Sequence, residues 1–289
     1  MYGRRALWLL APAVLALAAI IGYPLVETVR LSFTATQLIG GGGGWVGFDN
    51  FAAALHSDEF WSALGITVVF TVVTVGIEMA MGLLVALLLD LPLRGRGLVR
   101  GLLIVPWALP TVINAMMWRV IYNPEFGAFD ALLQQMGLID RYQSWLGDPD
   151  IALYAVAFAD IWKTIPLVAL ILLAALQGVP SELRQAASID GAGPLQRFWA
   201  VTLPAILVPL SIVVVLRIIE AVKVFDIIWV MTRGGPLNST RSLAILVYQQ
   251  AFSFHHSGYG AALSLLSVLL SLLLIAFYLV GLRRQQATA

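Results

Sequence analysis

Cysteine is absent from the 289 residues, lysine occurs only as Lys163 and Lys223, and charged side chains of all kinds make up 11% of the chain. Without cysteine there is no disulfide framework, no thiolate metal site and no cysteine nucleophile. Neither lysine follows a glycine, so the phosphate-cradling loop G-x-x-x-x-G-K-[ST] is missing, and with it that route to ATP hydrolysis. The histidines, His56, His255 and His256, fall in connecting segments without ligand spacing, and no metal site is expected. Serines lie in apolar stretches, but no Ser/His/Asp set or Gly-x-Ser-x-Gly turn sits at a shared depth, so an intramembrane enzyme is not expected either. A net charge of +1 gives no basic surface for nucleic acid.

What the chain has is apolar surface: 60% of its residues are hydrophobic, too many for a soluble domain to keep hydrated. Crossing a bilayer takes roughly 20 apolar residues at about 1.5 Å each, and six stretches meet that length. They are placed at 6–33, 61–90, 101–121, 151–179, 203–232 and 259–282. The first follows Arg4 and Arg5 as a secretory signal would, but its apolar run continues to Leu31 past Tyr23-Pro24, so it is read as an uncleaved span. Positively charged loops stay on the cytoplasmic side. With the N-terminus inside, cytoplasmic segments hold Arg4, Arg5, Arg94, Arg96, Arg100, Arg184, Arg197, Arg283 and Arg284, and outer loops hold Arg141, Arg233 and Arg241. Both termini are therefore expected in the cytoplasm. The connections leave no room for a soluble domain, so residues 1–289 are read as one membrane domain. The run Gly40 to Gly44 reads as a flexible outer linker.

Between the fourth and fifth spans, residues 180–202 read as a helix, a turn and a helix. Ser181 is placed at the N-cap with Glu182 in the first turn, Gly191 takes the left-handed backbone that stops the helix, and Pro194 opens the next one. Ala186 and Ala187 leave part of the first helix nearly bare, so its backbone can lie close against another protein surface.

This segment, QAASIDGA with Phe198 and Leu203-Pro204 beyond it, resembles the cytoplasmic signature of the permease subunits of ATP-binding-cassette importers, specifically the maltose-type sugar group. The resemblance extends to Val46-Gly47-Phe48-Asp49-Asn50-Phe51 with Phe60-Trp61, to Val224-Phe225-Asp226 through Gly234-Gly235-Pro236, and to Tyr248 through Phe252 with Gly258-Tyr259-Gly260. It implies an all-α polytopic fold of six transmembrane helices, with a cytoplasmic helix-turn-helix between helices 4 and 5 that docks on an ATPase subunit. The coupling residues it implies are Ala186, Ala187, Asp190, Gly191 and Ala192. Gln185 stands where the family usually has glutamate; Gln still accepts a hydrogen bond, and Glu182 supplies a charge one turn earlier.

Charged residues inside a span are costly unless they face protein or water, so they mark a pathway by default. On a continuous helix Arg217, Glu220, Ala221 and Val224 share one face, Lys223 flanks it and Asp226 lies nearly opposite; Asp160, Lys163, Thr164 and Leu167 share a face of the fourth span. Arg217 lies roughly 18 Å from the cytoplasmic end of its span and Asp160 roughly 14 Å from the outer end of its own, which brings both near the midplane of a core about 30 Å thick. The resemblance points to the same place: it implies solute contacts at Asp160, Thr164, Arg217, Ala221 and Val224. Pairing of Arg217 with Glu220 and of Asp160 with Lys163 is the competing reading of these charges. An arginine here suits sugar hydroxyls, and equally a phosphate or carboxylate substituent. Glu78 is read as a partner of Arg119 or a pore residue rather than a proton carrier. Trp107, Trp118, Trp162 and Trp229 read as interface or packing residues, although each can stack on a sugar ring.

The expectation is a non-catalytic permease of the bacterial inner membrane. By resemblance it pairs with a second homologous permease and an ATPase dimer, which binds ATP and Mg, and receives a sugar or sugar-like solute from an extracytoplasmic binding protein. An ion-coupled secondary transporter or channel using Glu78, Asp160 or Asp226 is the alternative.

Overall fold

A computed structural model describes residues 12–40, 42–92 and 94–288, with side chains to residue 281. The expected start of the first span at residue 6, with Arg4 and Arg5, lies outside the described residues, as do the side chains of Arg283 and Arg284. Among the described residues the chain is helical, without strands, apart from one isolated antiparallel bridge between Thr34 and Trp45. In chain order the helices that matter are α1 (Pro12–Ser32), α2 (Asp49–Leu55), α3 (Asp58–Asp90), α4 (Arg96–Ala108), α5 (Thr111–Ile121), α6 (Ala128–Gln135), α7 (Ala152–Gln177), α8 (Ser181–Ile189), α9 (Pro194–Val222), α10 (Asp226–Met231), α11 (Leu243–Ser253) and α12 (Ser257–Thr288). Among the described residues five helices are long and apolar enough to cross a membrane, or six if the bent pair α4–α5 is one span.

The chain divides into two compact units, the first being Met1–Ser62 with Leu243–Leu269. Here α1 exposes most of its apolar side chains, Ile20 at 74% and Val26 at 68%. Its polar side chains, Glu27, Thr28, Arg30 and Ser32, fall in its last turns, and an apolar helix that buries so little in its own chain belongs against lipid or another membrane helix. The segment after it is pinned. Asn50 donates to the Ser32 and Thr34 carbonyls at 2.8 and 2.9 Å, Ala35 donates to Gly44, Val46 donates to Phe33, and the Phe33 ring stacks on Trp45 at 5.3 Å. Residues 33–35 and 44–46 are thus bonded to each other at the base of the loop that carries the glycine run. Gly258, at the start of α12, lies so close to this loop that a Cβ there would meet the Thr34 carbonyl oxygen at 2.0 Å.

The second unit is Ala63–Ser242 with Leu270–Ala289. Its core joins α3, α7 and α9 through Ala86, Leu89, Val168, Leu172, Leu176, Ile206 and Val213. Lipid tails are as apolar as leucine, so such contacts hold by close packing rather than by exclusion of water. Gly82 marks the tightest approach: a Cβ there would meet Val168 Cγ1 at 2.4 Å. Replacing Gly82 with leucine is expected to wedge α3 off α7 and cost about 1–3 kcal/mol, as overpacking in a filled core typically does; the fall in thermal stability of the purified chain measures it.

Two expected spans are interrupted. The stretch 101–121 is two helices bent by 92°. Pro110 has no N–H to offer and drives Leu109 into extended backbone (ψ 132°), which stops α4 before α5 begins. The stretch 203–232 is likewise not continuous: α9 begins earlier, at Pro194, and ends at Val222, and α10 begins at Asp226. Between them the Val224 carbonyl accepts a bond from Ser242 Oγ at 3.0 Å, a partner distant in sequence that substitutes for the next helical turn. Upstream of α9, Gly191 has φ 82° and Pro194 occupies the first helical turn, as read from the sequence. Ser181 is not the N-cap; Pro180 takes that position with extended backbone and Ser181 is the first helical residue.

Candidate functional site

The interruptions in α4–α5 and α9–α10 meet at one cavity of about 350 Å³, within the second unit. Non-helical backbone at membrane depth is tolerated where it lines a cavity, because freed polar groups need partners other than lipid. Trp107 and Thr111 face it from the first interruption; Asp160, Lys163, Thr164 and Leu167 from α7; Arg217, Glu220 and Ala221 from α9; and Lys223, Val224, Phe225, Asp226 and Ile227 from the second interruption. Every residue placed at the solute site from sequence therefore lines one cavity. Thr164, Ala221 and Val224 do so as nearly buried wall, while Glu220, Lys223 and Asp226 are exposed.

Asp226 corrects the helical-wheel expectation. On an unbroken helix it points away from Arg217, but the chain turns at residues 223–225 and brings Asp226 to the same cavity. The sequence carried no proline or glycine at that turn to announce it. The stacking of Phe225 on Trp229, centroids 5.5 Å apart and 14° from parallel, belongs to the same corner. Of the other tryptophans, Trp107 is half-exposed at the cavity, whereas Trp118 packs edge-on against Phe158 and Trp162 in an aromatic cluster with Tyr122.

Arg217 organises the electrostatics. The residue is 7% exposed, and its guanidinium donates from Nε and Nη2 to the two oxygens of Glu78 at 2.7 and 2.9 Å, from Nη2 to Asp160 at 3.2 Å, and from Nη1 to Glu220. The fork to Glu78 is bidentate, the geometry in which arginine binds carboxylate best. A buried charge is tolerated only when paired and hydrogen-bonded, and here one guanidinium bonds three carboxyl groups from α3, α7 and α9. Glu78 is thus the partner of Arg217, not of Arg119, whose Nη1 bonds the Val230 carbonyl at 3.2 Å. The i,i+3 pairing of Asp160 with Lys163 does not form either: Lys163 Nζ donates to Thr111 Oγ1 at 2.8 Å, across to the start of α5. Arg217 with Glu220 does pair as helical spacing suggested. Glu78, fully buried and 139 residues away in sequence, was legible only as an acid inside a span.

Far from the cavity, α8 presents Glu182, Gln185, Ala186, Asp190 and Gly191 to the exterior, with Ala187 and Ala192 half-buried. Large apolar groups stand out beside them: Leu183, Ile189 at 86%, Leu195 and Trp199.

Apolar spans that enclose a charged cavity define a membrane permease. The chain belongs to the binding-protein-dependent transport system inner membrane component family, which it matches over residues 78–285. It is 40% identical over 235 residues to the trehalose/maltose transport system permease protein MalF of Thermococcus litoralis, covering 81% of this chain and 79% of that protein. It is 34% identical over 264 residues to the trehalose transport system permease protein SugA of Mycobacterium tuberculosis, 91% and 83% covered. A solved bacterial ABC transporter that imports the acidic polysaccharide alginate has a chain of the same fold, with a TM-score of 0.82 at 21% identity, covering 97% of this chain and 96% of that one. A bacterial alginate ABC transporter solved in complex with an alginate pentasaccharide-bound periplasmic protein also has a chain of this fold, with a TM-score of 0.81 at 20% identity, covering 94% of this chain and 93% of that one. The chain is accordingly an importer permease subunit and not an enzyme; ATP hydrolysis in such importers belongs to a separate subunit.

Proposed function

We propose that this permease conducts a neutral sugar or sugar-like solute through the cavity between α7, α9 and the two helix interruptions, contacted by Asp160, Thr164, Arg217, Glu220, Ala221 and Val224. The observation that carries the neutral class is Arg217: its donors are engaged by three carboxylates of its own chain, so a phosphate or carboxylate substituent would meet acids before it met a free guanidinium. Hydroxyl groups, which both donate and accept, can share Asp160, Glu220 and Lys223 without displacing that pairing. Trp107 offers a ring face at the rim. The names of the relatives support the sugar class, trehalose and maltose among them.

In this reading the chain is one membrane domain of six spans with α4–α5 counted as one, both termini cytoplasmic, in a bacterial inner membrane. Residues 180–202 form the cytoplasmic coupling segment, with Glu182, Gln185, Ala186, Ala187, Asp190, Gly191 and Ala192 at its contact with an ATPase. A second homologous permease completes the pathway, two ATPase subunits bind ATP and Mg, and an extracytoplasmic binding protein delivers the solute. Family membership favours this importer cycle over ion coupling.

The test is ATPase activity of the assembled complex in lipid, with the binding protein and a panel of sugars, polyols and sugar phosphates. A neutral sugar is expected to stimulate hydrolysis; stimulation by a sugar phosphate alone would overturn the neutral class, and uptake by the isolated chain that an uncoupler abolishes would overturn the importer reading. Glu220→Gln is expected to raise the solute concentration for half-maximal uptake about tenfold, as loss of one hydrogen bond to a charged group does (about 1.5–3 kcal/mol), leaving assembly intact because Glu220 is 61% exposed.

A further inference from the structure

Two arginines perform the same task at different depths of the second unit. Arg217, on α9, joins α3 to α7 by bonding Glu78 and Asp160. Arg184, on α8, also joins α3 to α7: Nη1 donates to Asp90 at the last residue of α3, 2.7 Å, and Nη2 donates to the Leu176 carbonyl in the last turn of α7, 2.6 Å. Glu78 and Asp90 are twelve residues apart on one helix, roughly 18 Å along its axis. That helix has no proline between them, whereas α7 carries Pro166 and α9 carries Pro209.

Between the two arginines α3 and α7 are packed without slack. Gly82 lies against Val168, and Ala86, Leu89, Leu172 and Leu176 continue the contact toward Arg184. A close-packed pair of helices is stiff, since packed cores transmit displacement rather than absorb it. Displacing α8 would pull directly on the ends of both helices through one guanidinium, and farther along the same pair Glu78 and Asp160 hold the Arg217 guanidinium at the wall of the solute cavity.

We propose that Arg184 and Asp90 are positioning residues of transport: they fasten α8 to the α3–α7 pair, so that movement of α8 reaches Arg217 and reshapes the cavity through Glu78 and Asp160. This rests on residues 180–202 being the ATPase-docking segment. Arg184 itself touches neither solute nor nucleotide. It connects two sites that otherwise share no side chain, and coupling of this kind requires such a physical chain between elements.

The experiment uses the complete complex in lipid vesicles with the binding protein and its sugar, and measures basal hydrolysis, sugar-stimulated hydrolysis and uptake per ATP. Arg184→Gln and Asp90→Asn are each expected to keep basal hydrolysis and lower uptake per ATP about tenfold, a common size of coupling between two sites. The exchange Asp90→Arg with Arg184→Asp is expected to recover a substantial part, because the ion pair is restored in reverse. Wild-type uptake per ATP in both single variants overturns the proposal, and so does an exchange variant no better than the single ones. If a single variant fails to assemble, the exchange variant decides: assembly recovered together with uptake supports the pair as the link, and assembly recovered without uptake reduces it to scaffolding and overturns the proposal. Gly191→Val in the same assay separates the two readings. If it transports like wild type, the docking assignment fails; if it loses transport while Arg184→Gln does not, docking stands and only the Arg184–Asp90 link is refuted.

Discussion

Arg217→Met is expected to leave little folded permease, and Glu78→Gln to leave most of it. The asymmetry follows from the count of charges. Removing the guanidinium strands Glu78, at 0% exposure, and Asp160 together, and breaking a buried ion pair from one side typically costs about 3–5 kcal/mol. Neutralising Glu78 instead leaves Arg217 with Asp160 and Glu220, and a glutamine amide oxygen still accepts from Nε. The check is the detergent-solubilised melting of each variant followed by size-exclusion chromatography. Adding Glu78→Gln to Arg217→Met should recover part of the loss by withdrawing one stranded charge. Equal melting of Arg217→Met and Glu78→Gln would show that the cluster is not the internal tie that its geometry describes.

Gly191→Val is expected to abolish uptake while the binding protein keeps its affinity for solute. A Cβ at Gly191 meets nothing within 4 Å, so crowding is not the difficulty. Its φ of 82° is: a left-handed backbone costs an L-residue about 1–2 kcal/mol, and a β-branched one sits at the unfavourable end. Valine therefore favours a backbone that carries α8 past the turn, misaiming the surface around Ala186 and Ala187. Asparagine tolerates the left-handed region, so Gly191→Asn should transport at an intermediate level. Uptake in the order glycine, asparagine, valine would locate the requirement in the backbone; equal loss in both variants would place it in a side-chain clash with a partner.

How far the sequence could be read depended on the range of the interaction. Helices were legible because apolar length is a local property, and the turn at Gly191 because a single residue type carries it. Pro110 was visible in the sequence, yet a proline inside an apolar run reads as readily as a kink within one span as a 92° break into two helices. The interruption at residues 223–225 was hidden, since the partner that the Val224 carbonyl takes there, Ser242, lies eighteen residues downstream. Asp226 was consequently assigned to the wrong face. The solute-site residues on α7 and α9 fell at one cavity because each set spans only a helical turn or two, over which a wheel is accurate. The pairing of Glu78 with Arg217 instead spans 139 residues, a separation over which no local pattern applies, and Arg119 was read as the partner in its place.

The loop after α1 and the first turns of α12 lie together, with Gly258 donating to Thr36 at 2.9 Å, and the first compact unit stops at Ser62 and resumes at Leu243. Synthesis at about 5–20 residues per second puts roughly ten to forty seconds between the emergence of its two halves. For that interval the earliest segment resides in the bilayer without its native neighbour, a wait that its largely apolar surface lets it endure. Nascent chains halted before Leu243 should therefore insert normally yet keep the Gly40–Gly44 loop open to protease until the last span is released.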